Sequence, residues 1–306
     1  MIPLKTIKRD NAEAQTLEWV LHVKNYRLNL DKKLCVGCQI CSLACPKEAI
    51  KVEKQPKTGE RAQKAKVDID LGKCNFCGIC DVICPFGSIE VTRDGEHLLS
   101  VVEKESFPQL VRDIKVDASK FPLVRQRSDD ICPLRLIEVR FVTADGKCVE
   151  DPASLGVAEK SSLKVDVKVD EQHCPCCGIC EVRLPSGAIR VRKVLSGKLK
   201  INREKCPEGC KDCVDVCPIT GVLCVGEDSK VSVNEMFCVY CGACKVVCPV
   251  DEAMEFKRTR VNHTPIHSGA WNKALERLTS SAEMTKELKT KTLLKVRDAV
   301  KKRVGV

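Results

Sequence analysis

Aromatic residues make up only 4% of this 306-residue chain, with two Trp, two Tyr and seven Phe. A chain so poor in large rings builds modest cores, and small domains of that kind usually need staples such as disulfides or metal. No apolar run approaches the roughly 18 residues of a membrane span, so no span is expected. Residues 1–27 lack a charged, then apolar, then small-residue pattern. Disulfides are therefore not expected, metal ligation is the better reading of the cysteines, and a reducing cytoplasm is the expected compartment. The sequence also lacks a Gly-rich phosphate loop, a G-x-S-x-G elbow, an H-E-x-x-H pair and a dinucleotide fingerprint. No catalytic residue is assigned, and the chain is expected not to be an enzyme by itself.

Cysteine is abundant instead, with 23 residues set mostly in a sixfold repeat. Four copies carry four cysteines and a proline: Cys35, Cys38, Cys41 and Cys45-Pro46; Cys74, Cys77, Cys80 and Cys84-Pro85; Cys206, Cys210, Cys213 and Cys217-Pro218; Cys238, Cys241, Cys244 and Cys248-Pro249. Another carries Cys174, Cys177 and Cys180, then Leu184-Pro185. The third copy along the chain reads Phe121, Arg125, Ser128 and Cys132-Pro133. Each copy opens on an alternating strand ending in Asp31, Asp70, Asp117, Asp170, Asn202 or Asn234, four residues before the first ligand position. Asp and Asn suit a strand-to-loop transition because their side chains bond nearby backbone N–H groups. A short helical turn and a second strand follow each proline, with Asp94-Gly95, Asp145-Gly146 and Ser196-Gly197 as hairpin signals.

Self-similarity of this regularity marks an array. The expected fold class is α+β: three tandem two-cluster ferredoxin-type units, six motif copies with one degenerate, an N-terminal helix and a C-terminal basic helical tail. Residues 1–27 form the expected N-terminal helical extension, helical over 10–24 with Asp10 and Glu13 as a capping pair. Unit 1 spans 28–100 and unit 3 spans 201–265, each with two clusters. Unit 2 spans 101–200, with one cluster kept, one lost, and an insertion at 140–165. In the tail, 266–306, Trp271, Leu275 and Leu278 share one helix face, and Ser280 with Glu283 restarts a helix.

Three cysteines two residues apart on a tight loop can serve three iron corners of a cubane, and in two-cluster ferredoxins the fourth Cys of each run serves the other cluster. The proline fixes the exit of the chain. Crossing groups Cys35, Cys38, Cys41 and Cys84; Cys74, Cys77, Cys80 and Cys45; Cys206, Cys210, Cys213 and Cys248; and Cys238, Cys241, Cys244 and Cys217. In the middle unit it groups Cys174, Cys177 and Cys180 with Cys132, leaving one intact site, and it groups Phe121, Arg125, Ser128 and Leu184, erasing the other. The partition favours one whole cluster and one vacancy over a three-iron cluster. Phe121 and Leu184 suit an apolar plug there. Twenty cysteines then hold five [4Fe–4S] clusters as iron ligands.

Cys148, Cys176 and Cys224 are left over as buried or incidental thiols. Cys176 could replace Cys177, although the two-residue spacing favours Cys177. His173 could bond a cluster sulfur or be a plain surface histidine. Zinc fits less well, since its sites usually take two separated pairs of ligands. The net charge of +10 is nearly cancelled by five thiolate-bound clusters at about −2 each. With no nucleic-acid motif in the chain, no nucleic-acid partner is expected.

All six copies resemble bacterial-type ferredoxins. Ile201–Cys210 continuing through Cys213–Pro218, with Phe256–Val261 and Arg112–Asp117, further resembles the polyferredoxin family of formylmethanofuran dehydrogenase subunits, over about residues 25–265. Phe121, Arg125, Ser128 and Leu184 depart from that family's pattern at one relay station. The resemblance implies a subunit of an archaeal complex that couples carbon dioxide reduction to formylation of methanofuran, as in methanogenesis. Its molybdenum- or tungsten-pterin subunit would do the redox chemistry, a second subunit the formyl transfer, and a ferredoxin or heterodisulfide-reductase-type donor could supply low-potential electrons. Two other readings stay open: a polyferredoxin carrier of a hydrogenase or another anaerobic complex, and a structural iron–sulfur scaffold.

Overall fold

In all six copies the chain leaves its first strand at the same kind of turn. The side chains of Asp31, Asp70, Asp117, Asp170, Asn202 and Asn234 each accept a backbone N–H two or three residues on, at 2.7–3.3 Å. Their own N–H groups donate to the carbonyls of Ser88, Ala49, Ala188, Leu136, Ala253 and Val222. The degenerate third copy keeps this turn at Asp117, so the backbone repeat survives there without the three loop cysteines. The structure, a computed structural model, describes residues 3–123, 127–143, 145–149, 152–156, 160 and 163–280.

Strand pairing follows a two-fold rule. The first strand of one copy pairs with the last strand of the next, and the two inner strands pair with each other, all antiparallel. Asn25–Asp31 pairs with Ile89–Arg93, and Ile50–Glu53 with Lys66–Ile69. Asp113–Val116 pairs with Ile189–Arg192, and Ile137–Val142 with Lys164–Val169. Leu195–Ile201 pairs with Met254–Val261, and Leu223–Val225 with Val231–Val233. Each ligand loop runs into a one-turn helix: Ile40–Ala44, Ile79–Val82, Ser128–Ile131, Ile179–Arg183, Asp212–Val216 and Ala243–Val247.

The N-terminal segment is not the expected helix. Lys5–Asp10, Ala14–Val20 and Asn25–Asp31 form an antiparallel meander, extending the first sheet to four strands. Alternation wins over local capping signals: Gln15 and Leu17 face inward and are fully buried, while Thr16 and Glu18 do not. Asn11 accepts from the N–H groups of Glu13 and Ala14 at 2.9 and 2.7 Å, which makes a tight turn where a cap was expected. Asp10 and Glu13 instead pair with Lys32 and Lys33. The segment is thus part of the first unit's sheet and not a separate extension.

Ser196-Gly197 is also not a hairpin tip. It is a bulge inside the strand Leu195–Ile201, where a Cβ on Gly197 would clash with the Lys257 carbonyl. Asp94-Gly95 and Asp145-Gly146 do lie at turns; Asp94, Gly95 and Gly146 have positive φ, and each turn is flanked by antiparallel pairing.

One apolar core runs from Leu17 through Ile69, Phe86, Leu199 and Phe256 to Trp271. A second, around Phe121, Ile131, Leu184 and Ile189, fills the outer part of the middle unit. The helix Gly269–Thr279 is capped by Ser268, whose Oγ accepts from the Trp271 N–H. Trp271 and Leu278 are buried, with Leu275 packed beside them, and Phe107 meets the Trp271 ring edge-on at 5.2 Å. Glu283 and the rest of the expected tail lie outside the described residues, as does Arg125.

Candidate metal centres

Three small apolar hollows, each about 20 Å³, each bring together three cysteines of one copy and the last cysteine of its partner copy. The first is lined by Cys74, Cys77, Cys80 and Cys45, with Leu28, Ile69 and Phe76 around them. Cys238, Cys241, Cys244 and Cys217 line the second, beside Leu199 and Phe256. Cys206, Cys210, Cys213 and Cys248 line the third, beside Ile201 and Met254.

Electrostatics brings the other two sets together. Burial pushes the Cys35 thiol up, and Cys84 is the strongest like charge acting on it. Cys41 is likewise raised by burial and then by Cys38, Cys35 and Cys84. Burial, followed by Cys177, Cys174 and Cys132, raises Cys180 to about 12. Cys132 itself is buried beside Cys180, Phe121 and Leu184. The same pattern holds where a hollow is visible: burial and then Cys248, Cys210 and Cys206 push Cys213 to about 12. Burial raises Cys74 to about 11, with Cys77 and Cys45 as the repelling thiols.

The chemistry of such a donor set is specific. Four thiolates facing one apolar hollow repel one another and lose hydration, so they stay deprotonated only around a cationic core. On one tetrahedral zinc, at about 2.3 Å per bond, the sulfurs would lie within about 4 Å of each other. Among the described residues no three His, Cys, Asp or Glu side chains gather as a group that could hold a single ion. The thiols instead ring a space, which fits a polynuclear core with one thiolate per iron corner. Backbone N–H groups already point at sulfurs: Ser88, for example, donates to Cys84 Sγ at 3.3 Å and Tyr240 to Cys238 Sγ at 3.4 Å. Such bonds raise the potential of a bound cluster.

The backbone favours Cys177 over Cys176 as the ligand. In every copy with three loop cysteines, the residue just before the second of them has positive φ: Gly37 (+69°), Phe76 (+53°), Cys176 (+58°), Gly209 (+70°) and Tyr240 (+49°). Cys176 occupies that left-handed position and is buried, 3.8 Å from the Cys174 carbonyl. A hydrogen bond between the Cys176 and Cys174 side chains pushes the Cys176 thiol up and, with Arg112 nearby, holds Cys174 down to about 7. Cys148 and Cys224 are exposed. His173 Nδ1 lies 2.7 Å from the Asp170 carboxylate.

Where one cluster site was expected to be lost, Phe121 and Leu184 are 4% and 2% exposed and share one apolar cluster. Ser128 Oγ is buried there without a hydrogen-bond partner. Three basic residues near the sites are not among those expected from sequence: Arg112, Lys193 and Arg258. Arg258 leaves a readable trace, because it falls on the inward phase of a strand whose other inward residues are Met254 and Phe256.

Among the described residues no helix is long and apolar enough to cross a membrane. Residues 34–88 match the 4Fe-4S dicluster domain family. No curated protein matches the chain by sequence. The structure is similar to a chain of the formate dehydrogenase–heterodisulfide reductase–formylmethanofuran dehydrogenase complex from Methanospirillum hungatei, with a TM-score of 0.74 and 28% identity over 92% of this chain and 93% of that one. This is a mixed helix-and-strand protein with a ferredoxin-type 4Fe-4S domain at residues 34–88.

Proposed function

We propose that the chain is an electron-transfer subunit carrying five [4Fe–4S] clusters in three ferredoxin-type units, two in the first, one in the middle unit and two in the third, which opens with the strand Leu195–Ile201. The five sets are Cys35/Cys38/Cys41/Cys84, Cys74/Cys77/Cys80/Cys45, Cys174/Cys177/Cys180/Cys132, Cys206/Cys210/Cys213/Cys248 and Cys238/Cys241/Cys244/Cys217. The observation that carries this is the repeated hollow lined by three thiols from one copy and one from its partner. Bound clusters supply one-electron storage at low potential. The protein supplies thiolates, an apolar wall that excludes water, and N–H donors aimed at sulfur.

The likeness to a chain of a heterodisulfide reductase–formylmethanofuran dehydrogenase assembly supports a place in an oxidoreductase complex of that kind. There the subunit relays low-potential electrons to or from pterin subunits in an archaeal cytoplasm and performs no substrate chemistry itself. Iron and acid-labile sulfide measured on anaerobically purified protein test the reading. About 20 of each per chain is expected, at four per cluster, with reversible bleaching by a low-potential donor. Full iron content without reversible reduction would leave only a structural scaffold. Co-purification with a hydrogenase in place of a pterin subunit would move the relay to another complex.

A further inference from the structure

We propose that Arg112, Lys193 and Arg258 are positioning residues of a three-way junction, each seated between cysteine sets of two different units, so that the sets of Cys38, Cys177 and Cys241 meet pairwise and the erased sixth site hangs outside the triangle. The inference rests on the electron-relay reading and goes beyond it.

Arg112 joins units 1 and 2. Its Nη2 donates to the Cys84 carbonyl and its Nε to the Cys174 carbonyl, both at 3.0 Å. One guanidinium thus holds those two oxygens within roughly 8 Å of each other. The same joint needs Gly87, where φ is +60° and a Cβ would meet the Gln172 carbonyl at 2.7 Å and His173 Cδ2 at 2.9 Å.

Arg258 joins units 1 and 3. It is fully buried, donates to the carbonyls of Tyr240, at 2.9 Å, and Cys241, and lies over the Phe256 ring. Cys38 of the first unit is the strongest thiolate charge acting on it, and Cys241 is in turn the strongest charge acting on Cys38.

Lys193 joins units 2 and 3. Its Nζ donates to the Glu235 carbonyl at 2.9 Å and sits 5.1 Å from the centre of the Tyr240 ring, with Cys238 and Cys177 both acting on it.

The remaining links are internal to units: Cys41 feels Cys80, and Cys244 feels Cys213. The two outer sets therefore hang from the triangle, and so does the erased site, where Phe121 and Leu184 share the second apolar core with Cys132 and Cys180. Its loss removes a spur and leaves the path between units whole. A cation between two anionic clusters also stabilises their reduced forms, because the arriving electron meets a positive charge.

The test uses the full anaerobic chain with Arg112→Met and Lys193→Met, both at half-buried positions, Arg112→Lys and Arg258→Lys as conservative partners, and the exposed Arg192→Met as control. Iron content, redox-titrated EPR and the magnetic coupling between reduced clusters are read. The Met variants are expected to keep their iron, to shift the reduction equilibrium of the flanking clusters at least tenfold towards the oxidised form, about 59 mV for one electron, and to weaken their coupling. Arg112→Lys should recover most of the Arg112→Met shift, Arg258→Lys should stay close to the wild-type potentials, and Arg192→Met should show no shift. Unchanged potentials and coupling at full iron content would overturn the junction alone. A wild-type chain without iron–sulfur absorption would overturn the relay and the junction together.

Discussion

Cys132→Ser probes ligand exchange between copies at the one place where it has no local alternative. Among the motif positions of its own copy, Cys132 is the sole cysteine, so a ligand role there requires the loop of Cys174, Cys177 and Cys180. The structure places it 7% exposed against Cys180, Ile131, Phe121 and Leu184, and it is a like charge acting on both Cys177 and Cys180. Replacing sulfur by a hydroxyl changes little in volume. Without metal, the buried hydroxyl costs about 1–3 kcal/mol if it finds no partner. The larger consequence is loss of a soft ligand. Iron should fall from about 20 to about 16 per chain if the cluster is lost, or to about 19 if a three-iron core survives. Iron and sulfide assays separate these outcomes, and EPR of the oxidised protein gives the three-iron signal directly. Cys148→Ser, at an exposed thiol, is the control and should lose nothing. Full iron with an unaltered spectrum in Cys132→Ser would refute exchange of ligands in this unit, and with it the reading of the third copy as an erased site.

Leu184→Ala should lower stability by about 2–5 kcal/mol, the cost of a buried cavity, with iron content intact; anaerobic thermal melting with iron assay checks both, and loss of iron would mean that Leu184 does more than fill space. Gln15→Ala should loosen the meander from the first unit, since Gln15 Oε1 accepts from the Ile69 N–H at 2.9 Å and its Nε2 donates to Asp68 at 2.8 Å. Leaving that buried N–H unpaired costs about 1–3 kcal/mol, and hydrogen exchange at Ile69 should quicken; an unchanged rate would refute the role. Removing the clusters with a chelator should melt the units, because metal-binding free energy is folding free energy here. An apoprotein with native hydrogen-exchange protection would contradict that.

The joining of three cysteines of one copy with the last of its partner, seen in three hollows, was legible in sequence because ligand chemistry tolerates little variation in spacing. An iron corner needs a thiolate in one place, so crossing predicts that the departures at Phe121, Arg125, Ser128 and Leu184 fall on one set. The strand-to-loop turns were legible for a similar reason, since Asp31 and its five equivalents each satisfy local N–H groups. Residues 10–24 misled because Asp10 and Glu13 have the spacing of a helix cap, while the deciding interaction is the long-range burial of Gln15 against Ile69. Ser196-Gly197 misled likewise: the glycine serves the close approach of Lys257, a strand that lies 60 residues on.

The junction was hidden for a deeper reason. Arg112 bonds two carbonyls that belong to separate ligand loops, Cys84 and Cys174, and no local pattern encodes which loops of an array will touch. The exception is Arg258. A charged residue on the inward phase of an alternating strand has to be compensated, because an isolated buried cation is costly. Here the compensation includes the backbone carbonyls of Tyr240, Cys241 and Leu278, an aromatic face and the thiolates of Cys38, Cys241 and Cys244. The stronger the negative charge in the neighbouring sites, the smaller the cost of burying this cation. Arg258 is thus stable inside the protein to the extent that the sites beside it are filled. This ties the docking of the first unit on the third to cluster loading, and it accounts for an inward-facing arginine that packing alone would exclude.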